Sequence, residues 1–190
     1  MEEKEYNSNV YLLAKSVPID GSNNPEKIVA GAIKFECTDN DGVALYKDLD
    51  NKKASNIIDI INKGGETSYL EHINFTFGIE NISKECAYEV LNYALASSTK
   101  NNNKTVYNNR NLLVTMNAED LMDFFYDNCC SLVGKELNEV ADKMLNICLY
   151  EAPTVFANAG APCTFEKCDK KDLSCKEKRK AKVKQIIKMY

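Results

Sequence analysis

With 190 residues the chain can bury one sizeable core, and it reads as a single domain over residues 1–160 followed by a Cys-containing, Lys-rich tail over residues 161–190. A formal net charge of −4 argues against a protein that holds nucleic acid through its phosphates, because that affinity comes from surplus Lys and Arg. No apolar run approaches the roughly 20 residues that span a bilayer, and the acidic start Met1-Glu2-Glu3-Lys4-Glu5 lacks a signal-peptide core, so the expectation is a cytoplasmic protein without membrane contact.

In chain order, Val10-Tyr11-Leu12-Leu13 is a short apolar run that reads as a first strand. Asn24-Pro25 opens a helix, with Pro at the first helical position and Ile28, Val29, Ala32 and Ile33 on one face. A second helix is expected from about Ala54, carrying Ile57, Ile58, Ile60 and Ile61 and ending at Gly64-Gly65. Over residues 72–80, Ile73, Phe75, Phe77 and Ile79 alternate with Asn74, Thr76, Gly78 and Glu80. This is the pattern of a half-buried strand.

Ser83 is the expected N-cap of a helix over residues 84–97, whose apolar stripe includes Val90, Leu91, Ala94 and Leu95. Residues 98–111 are polar and Asn-rich and read as a long, mobile loop. A short strand over Leu112 to Met116 follows. Asn117 then caps a helix with Glu119 and Asp120 in its first turn, where the helix dipole favours acids. Helical periodicity runs on towards Tyr150, and Pro153 marks a new segment.

Two compositional features bear on chemistry. Among 24 basic residues only Arg110 and Arg179 are arginine, and His72 is the sole histidine. The planar arginine fork suits bidentate phosphate and carboxylate recognition in a way lysine does not. Of the eight cysteines, Cys86 and Cys148 fall on helical patterns as small buried hydrophobes, and the adjacent Cys129 and Cys130 read as packing residues. Cys163, Cys168 and Cys175 have a spacing that thiolates use for zinc, with a fourth ligand still required from Asp169, Asp172 or another subunit.

The stretch Gly64-Gly65-Glu66-Thr67-Ser68-Tyr69-Leu70-Glu71-His72-Ile73-Asn74-Phe75-Thr76-Phe77, then Ile82-Ser83-Lys84, then Asn92-Tyr93-Ala94-Leu95-Ala96-Ser97, forms an ungapped frame. It resembles the core of flavin-dependent thymidylate synthases, which read Gly-His-x-Ser-x-x-Glu-His-x-x-Phe-Thr-Phe, Ile-Ser-Arg and Arg-His-Arg-x-x-Ser. Asn117-Ala118-Glu119-Asp120-Leu121 and Phe124-Phe125-Tyr126-Asp127-Asn128-Cys129-Cys130 resemble that family's Asn-Ala-Arg-x-Leu and Phe-Phe-x-x-Arg-Cys-Cys. Residues 133–138 match its Ala-Gln-x-Glu-Ile-Arg, and Pro153 to Phe156 with Ala159 to Cys163 resemble the C-terminal segment of clostridial-type members.

The resemblance implies an α/β (α+β) fold, a small, mostly antiparallel sheet flanked by helices, assembled as a homo-oligomer, by family precedent a tetramer. It also implies FAD, deoxyuridine monophosphate and a folate as ligands at subunit junctions, the flavin carrying the redox chemistry and the protein supplying binding and electrostatics. Carried over by position, Ser68, Glu71, His72 and Ser97 would face the cofactor, and Lys104, Asn128 and Asn138 the nucleotide. His72 has two readings: contact with an adenine or phosphate, or, with Glu71, a tie between the turn and the following strand.

The departures fall on anion clamps. Asn92, Tyr93 and Ala94 replace Arg-His-Arg, Glu66 replaces a histidine, and Asn128 and Asn138 replace arginines. A charge-assisted hydrogen bond exchanged for a neutral one forfeits about 1–2 kcal/mol. The leading expectation is therefore a paralogue degenerate for methylation of deoxyuridine monophosphate, acting as a nucleotide- or flavin-binding or regulatory protein, alone or with an active copy. The alternative is a working flavoenzyme with an altered nucleotide substrate, its charge supplied by Lys84, Lys100, Lys104 and Lys135. A zinc module in the cysteine tail is a third reading.

Overall fold

A computed structural model describes residues 7–37, 41–64, 67–96, 105–108, 110–128 and 134–157. Four strands form one antiparallel sheet in the order β1-β2-β4-β3, with β1 Asn9–Lys15, β2 Asn74–Glu80, β3 Thr105–Asn108 and β4 Asn111–Asn117. The helices are α1 Glu26–Glu36, α2 Gly42–Lys47, α3 Asn51–Gly64, α4 Lys84–Ala96, α5 Ala118–Asn128, α6 Lys135–Glu151 and α7 Pro153–Phe156. A 3-10 turn, Ser68–His72, leads into β2. The expected small antiparallel sheet flanked by helices is thus the observed fold.

The alternation in β2 decides which face is covered. Phe75, Phe77 and Ile79 are buried, while Asn74, Thr76 and Gly78 are half-buried on the other side. In register, Phe77 lies opposite Val114 and Phe75 opposite Met116, so both strands send apolar side chains to the same helical layer. On the other face Thr76 and Thr115 share a hydrogen bond of 2.9 Å, and Leu13 lies over Gly78, where a Cβ would come within 3.0 Å of its Cδ1. Phe156 of α7 closes the core with edge contacts to Phe75, at 5.6 Å between ring centroids, and to Phe125, at 6.0 Å.

The caps follow the sequence. Ser83 Oγ accepts the Cys86 amide at 3.1 Å, and Asn117 Oδ1 accepts the Asp120 amide at 2.8 Å. Glu26 is buried, and its carboxylate joins three distant segments: Oε1 accepts the Thr154 and Val155 amides, and Oε2 accepts the Ser55 hydroxyl. Cys86 and Cys148 are buried as expected, and burial pushes the Cys86 thiol up to about 12.

Two expectations change, and one helix is new. Residues 98–111 do not form one loop, since Thr105–Asn108 is a strand whose residues pair with Asn111–Val114. The hairpin is closed by Arg110 in the left-handed region at φ 72°, and polar Asn-rich composition hid this edge strand. Helix α2 leaves little trace in the sequence because it is a single short element, capped by Asp41 on the Val43 and Ala44 amides. The periodicity from Asn117 to Tyr150 belongs to two helices, α5 and α6. Cys129, Cys130 and residues 158–190, with the whole tail expected at 161–190, lie outside the described residues.

Candidate functional site

The 3-10 turn and α5 meet at one end of the sheet, because Asn74 at the start of β2 pairs with Asn117 at the end of β4. The amide of Ala118 donates to the Ile73 carbonyl at 3.0 Å, which locks the start of α5 beside the turn. Thr67 Oγ1 donates to Glu119 Oε1 at 2.7 Å, and Tyr69 Oη donates to Glu36 on α1. Ser68 and His72 are exposed and Glu71 is half-buried, all on this turn.

Helical spacing places Glu119, Asp123 and Asp127 along one side of α5, a ridge of roughly 12 Å. Glu71 reaches Glu119 from the turn. Burial pushes the Glu119 carboxyl up, the Thr67 hydrogen bond pulls it down, and contact with Glu71 and the charge of Asp123 push it up again. Asp123 is likewise raised, by burial first and then by Asp127 and Asp120. Burial is the larger cause of both shifts, and the neighbouring carboxylates add to it.

At the far end of α5 the frame of the Arg-His-Arg positions is filled by packing. Tyr93 lies edge-on to Phe124 at 5.2 Å, and its hydroxyl donates to Asp127 at 3.2 Å. Burial and the Asp127 charge push the Tyr93 phenol up to about 12. Ala94 is 0% exposed, and Asn92 points to solvent. Asn128 is buried, with its Nδ2 donating back to the Phe124 carbonyl at 2.9 Å. Asn138 is half-buried on the first turns of α6.

The structure therefore brings Ser68, Glu71 and His72 together beside α5, and it sets Asn128 against Tyr93 rather than on that turn. Ser97, Lys104, Cys163, Cys168 and Cys175 lie outside the described residues. Among the described residues no group of three His, Cys, Asp or Glu side chains is placed to hold a metal. No described helix is long and apolar enough to cross a membrane.

The acidic ridge is not legible from residue type alone. In the sequence Glu119 and Asp120 read only as partners of the helix dipole, although Glu119 stands where the resemblance has arginine. That substitution was the available signal for Glu119. Asp123 and Asp127 needed the helix to show that they share its side.

Residues 19–104 match the family model described as thymidylate synthase complementing protein. The chain is 23% identical to a flavin-dependent thymidylate synthase of Clostridium tetani and 24% identical to one of Geobacter sulfurreducens, each alignment covering 80% of this chain and 89% of the relative. A flavin-dependent thymidylate synthase of Nitratidesulfovibrio vulgaris is 23% identical over 63% of this chain and 74% of its own length. With the motif frame, its order along the chain and the sheet that carries it, these matches support membership of the flavin-dependent thymidylate synthase family, from whose Arg-His-Arg signature the chain departs.

Proposed function

We propose that this chain no longer converts deoxyuridine monophosphate to thymidylate and serves instead as a binding or regulatory member of its family. The observation that carries this reading is the end of α4. Tyr93 is packed on Phe124 and bonded to Asp127, Ala94 is fully buried, and Asn128 is folded onto its own helix. None of the three presents a cation. In a reaction whose organic chemistry the cofactor supplies, the protein's part is to clamp and polarise anionic ligands. Several lost clamps multiply, at about tenfold in affinity for each 1.4 kcal/mol.

Of the two arginines, Arg179 lies outside the described residues. Arg110 is used in the β3–β4 turn, where its carbonyl accepts the Ile82 amide at the other end of β4 from Glu119. Self-association belongs to the same proposal. The uncovered sheet face leaves Tyr11, Leu13 and Leu113 exposed, which supports assembly with further copies or with a catalytic relative.

The test is turnover. Purified chain, supplied with FAD, reduced nicotinamide, methylenetetrahydrofolate and deoxyuridine monophosphate, is expected to form no thymidylate above a no-protein control. Turnover within tenfold of a catalytic relative assayed alongside would overturn the proposal.

A further inference from the structure

We infer that Glu119 and Asp123 are specificity-determining residues that make the edge between the 3-10 turn and α5 reject phosphate-bearing flavins and nucleotides. This inference rests on the reading of the chain as non-catalytic and narrows it: the loss extends from chemistry to the binding of the family's cofactor.

FAD carries a pyrophosphate with two negative charges, so a matching surface needs cations, amide N–H groups or neutral donors turned outward. The residues present do not fit that group. Glu119 occupies the position where the family motif Asn-Ala-Arg-x-Leu has arginine, so the charge there is reversed rather than merely removed. Its Oε1 is engaged by Thr67, and Glu71 stands against it from the turn. Asp123, one helical turn on, extends the same sign, and Asp127 continues it to Tyr93. Two hydroxyls that face this cluster are already donated to its carboxylates, that of Thr67 to Glu119 and that of Tyr93 to Asp127. A pyrophosphate brought here meets like charge on a partly desolvated surface, where repulsion is stronger than in bulk water.

The geometry separates this inference from a general loss of function. A site that had only lost its arginines would bind FAD weakly, with little response to salt. A site with reversed charge repels the phosphates, so screening by salt relieves the repulsion and FAD binding improves as ionic strength rises. Riboflavin, which has the same ring without phosphate, is unaffected by the reversal.

The experiment titrates FAD and riboflavin into the purified full chain, following flavin fluorescence and melting temperature at low and at high salt. The parent chain is expected to bind riboflavin at least as tightly as FAD. Glu119→Arg with Asp123→Asn should tighten FAD by about tenfold or more and leave riboflavin within about twofold. The salt response of FAD should also change sign, from improved to weakened binding.

Glu119→Gln with Asp123→Asn provides the second variant if the arginine disturbs folding, with a smaller gain of the same sign. Tight FAD binding by the parent chain, or folded variants whose FAD affinity does not change, overturns the inference. FAD binding without thymidylate formation overturns it while leaving the proposed function intact. Thymidylate formation overturns the proposed function directly.

Discussion

The sheet core and the α5 edge both carry positions of the family motif, and they differ in what they keep of it. In the core, Phe75, Phe77, Ile82 and Ser83 stand where the family motif has them, and each has a visible structural part. Three are buried apolar side chains, and Ser83 caps α4. At the edge, the corresponding positions hold Tyr93, Ala94, Glu119 and Asn128: Tyr93 and Glu119 are bonded to other elements, Ala94 is buried, and Asn128 bonds back to its own helix. Packing constraints act on every copy of a fold, because a cavity or an unpaired polar group costs stability at once. Ligand contacts constrain a residue only while the ligand is bound. Under the proposed function, the difference between the regions is what remains when the second constraint is lifted.

The comparison can be broken by putting family cations back. Ala94→Arg is expected to destabilise the chain by about 3–5 kcal/mol or abolish folding, since it buries an unpaired charge in a filled position. Asn92→Arg, two residues earlier and exposed, should change stability by less than about 0.5 kcal/mol. Denaturant unfolding of the pair measures both. If Ala94→Arg were tolerated as well as Asn92→Arg, position 94 would still be an open ligand position rather than part of the core.

A second substitution tests the core side with a charge that is well matched. Glu26→Ala should cost about 2–3 kcal/mol in chemical denaturation, because it leaves the Thr154 and Val155 amides and the Ser55 hydroxyl without their carboxylate. A loss below about 0.5 kcal/mol would mean that water replaces those bonds readily.

The smallest effect has the opposite sign. Glu119→Gln keeps an acceptor for Thr67 while removing one charge from the ridge, so it should stabilise the chain by about 0.5 kcal/mol at neutral pH. The folded carboxyls of Glu119 and Asp123 sit above their ordinary range. Between the unfolded and folded values the native chain holds more protons, so stability falls as pH rises through that window and recovers on acidification. Asp20 acts in the other direction. Lys27 holds it at about 2, so its contribution is present above the ordinary carboxylate value and is lost as pH falls towards 2. Melting temperature measured from neutral pH down to about pH 4 should therefore rise in the parent chain, and more weakly in Glu119→Gln. A flat profile in the parent would show that the ridge carboxylates titrate normally.

What could be read from the sequence divides along the same line. The alternation that made β2, the Ser83 and Asn117 caps and the apolar faces of α1 and α3 are local patterns, and the structure has them with ends shifted by a few residues. Strand β3 was hidden because its stability comes from pairing with β4 rather than from its own apolar content. The ridge was hidden for a related reason. Glu71 and Glu119 lie 48 positions apart, and the pairing of Asn74 with Asn117, with the Ala118 amide on the Ile73 carbonyl, brings them together.

Phe156 has a consequence for how the molecule is made. Its ring sits between Phe75 and Phe125, and the amides just before it are held by Glu26 near the other end of the chain. During synthesis at about 5–20 residues per second, the aromatic cluster stays open until nearly 160 residues have left the ribosome. Strands β2 and β4 can pair earlier, but their apolar face then waits for its last ring. A nascent chain halted before α7 would display that face to chaperones and to other copies of itself.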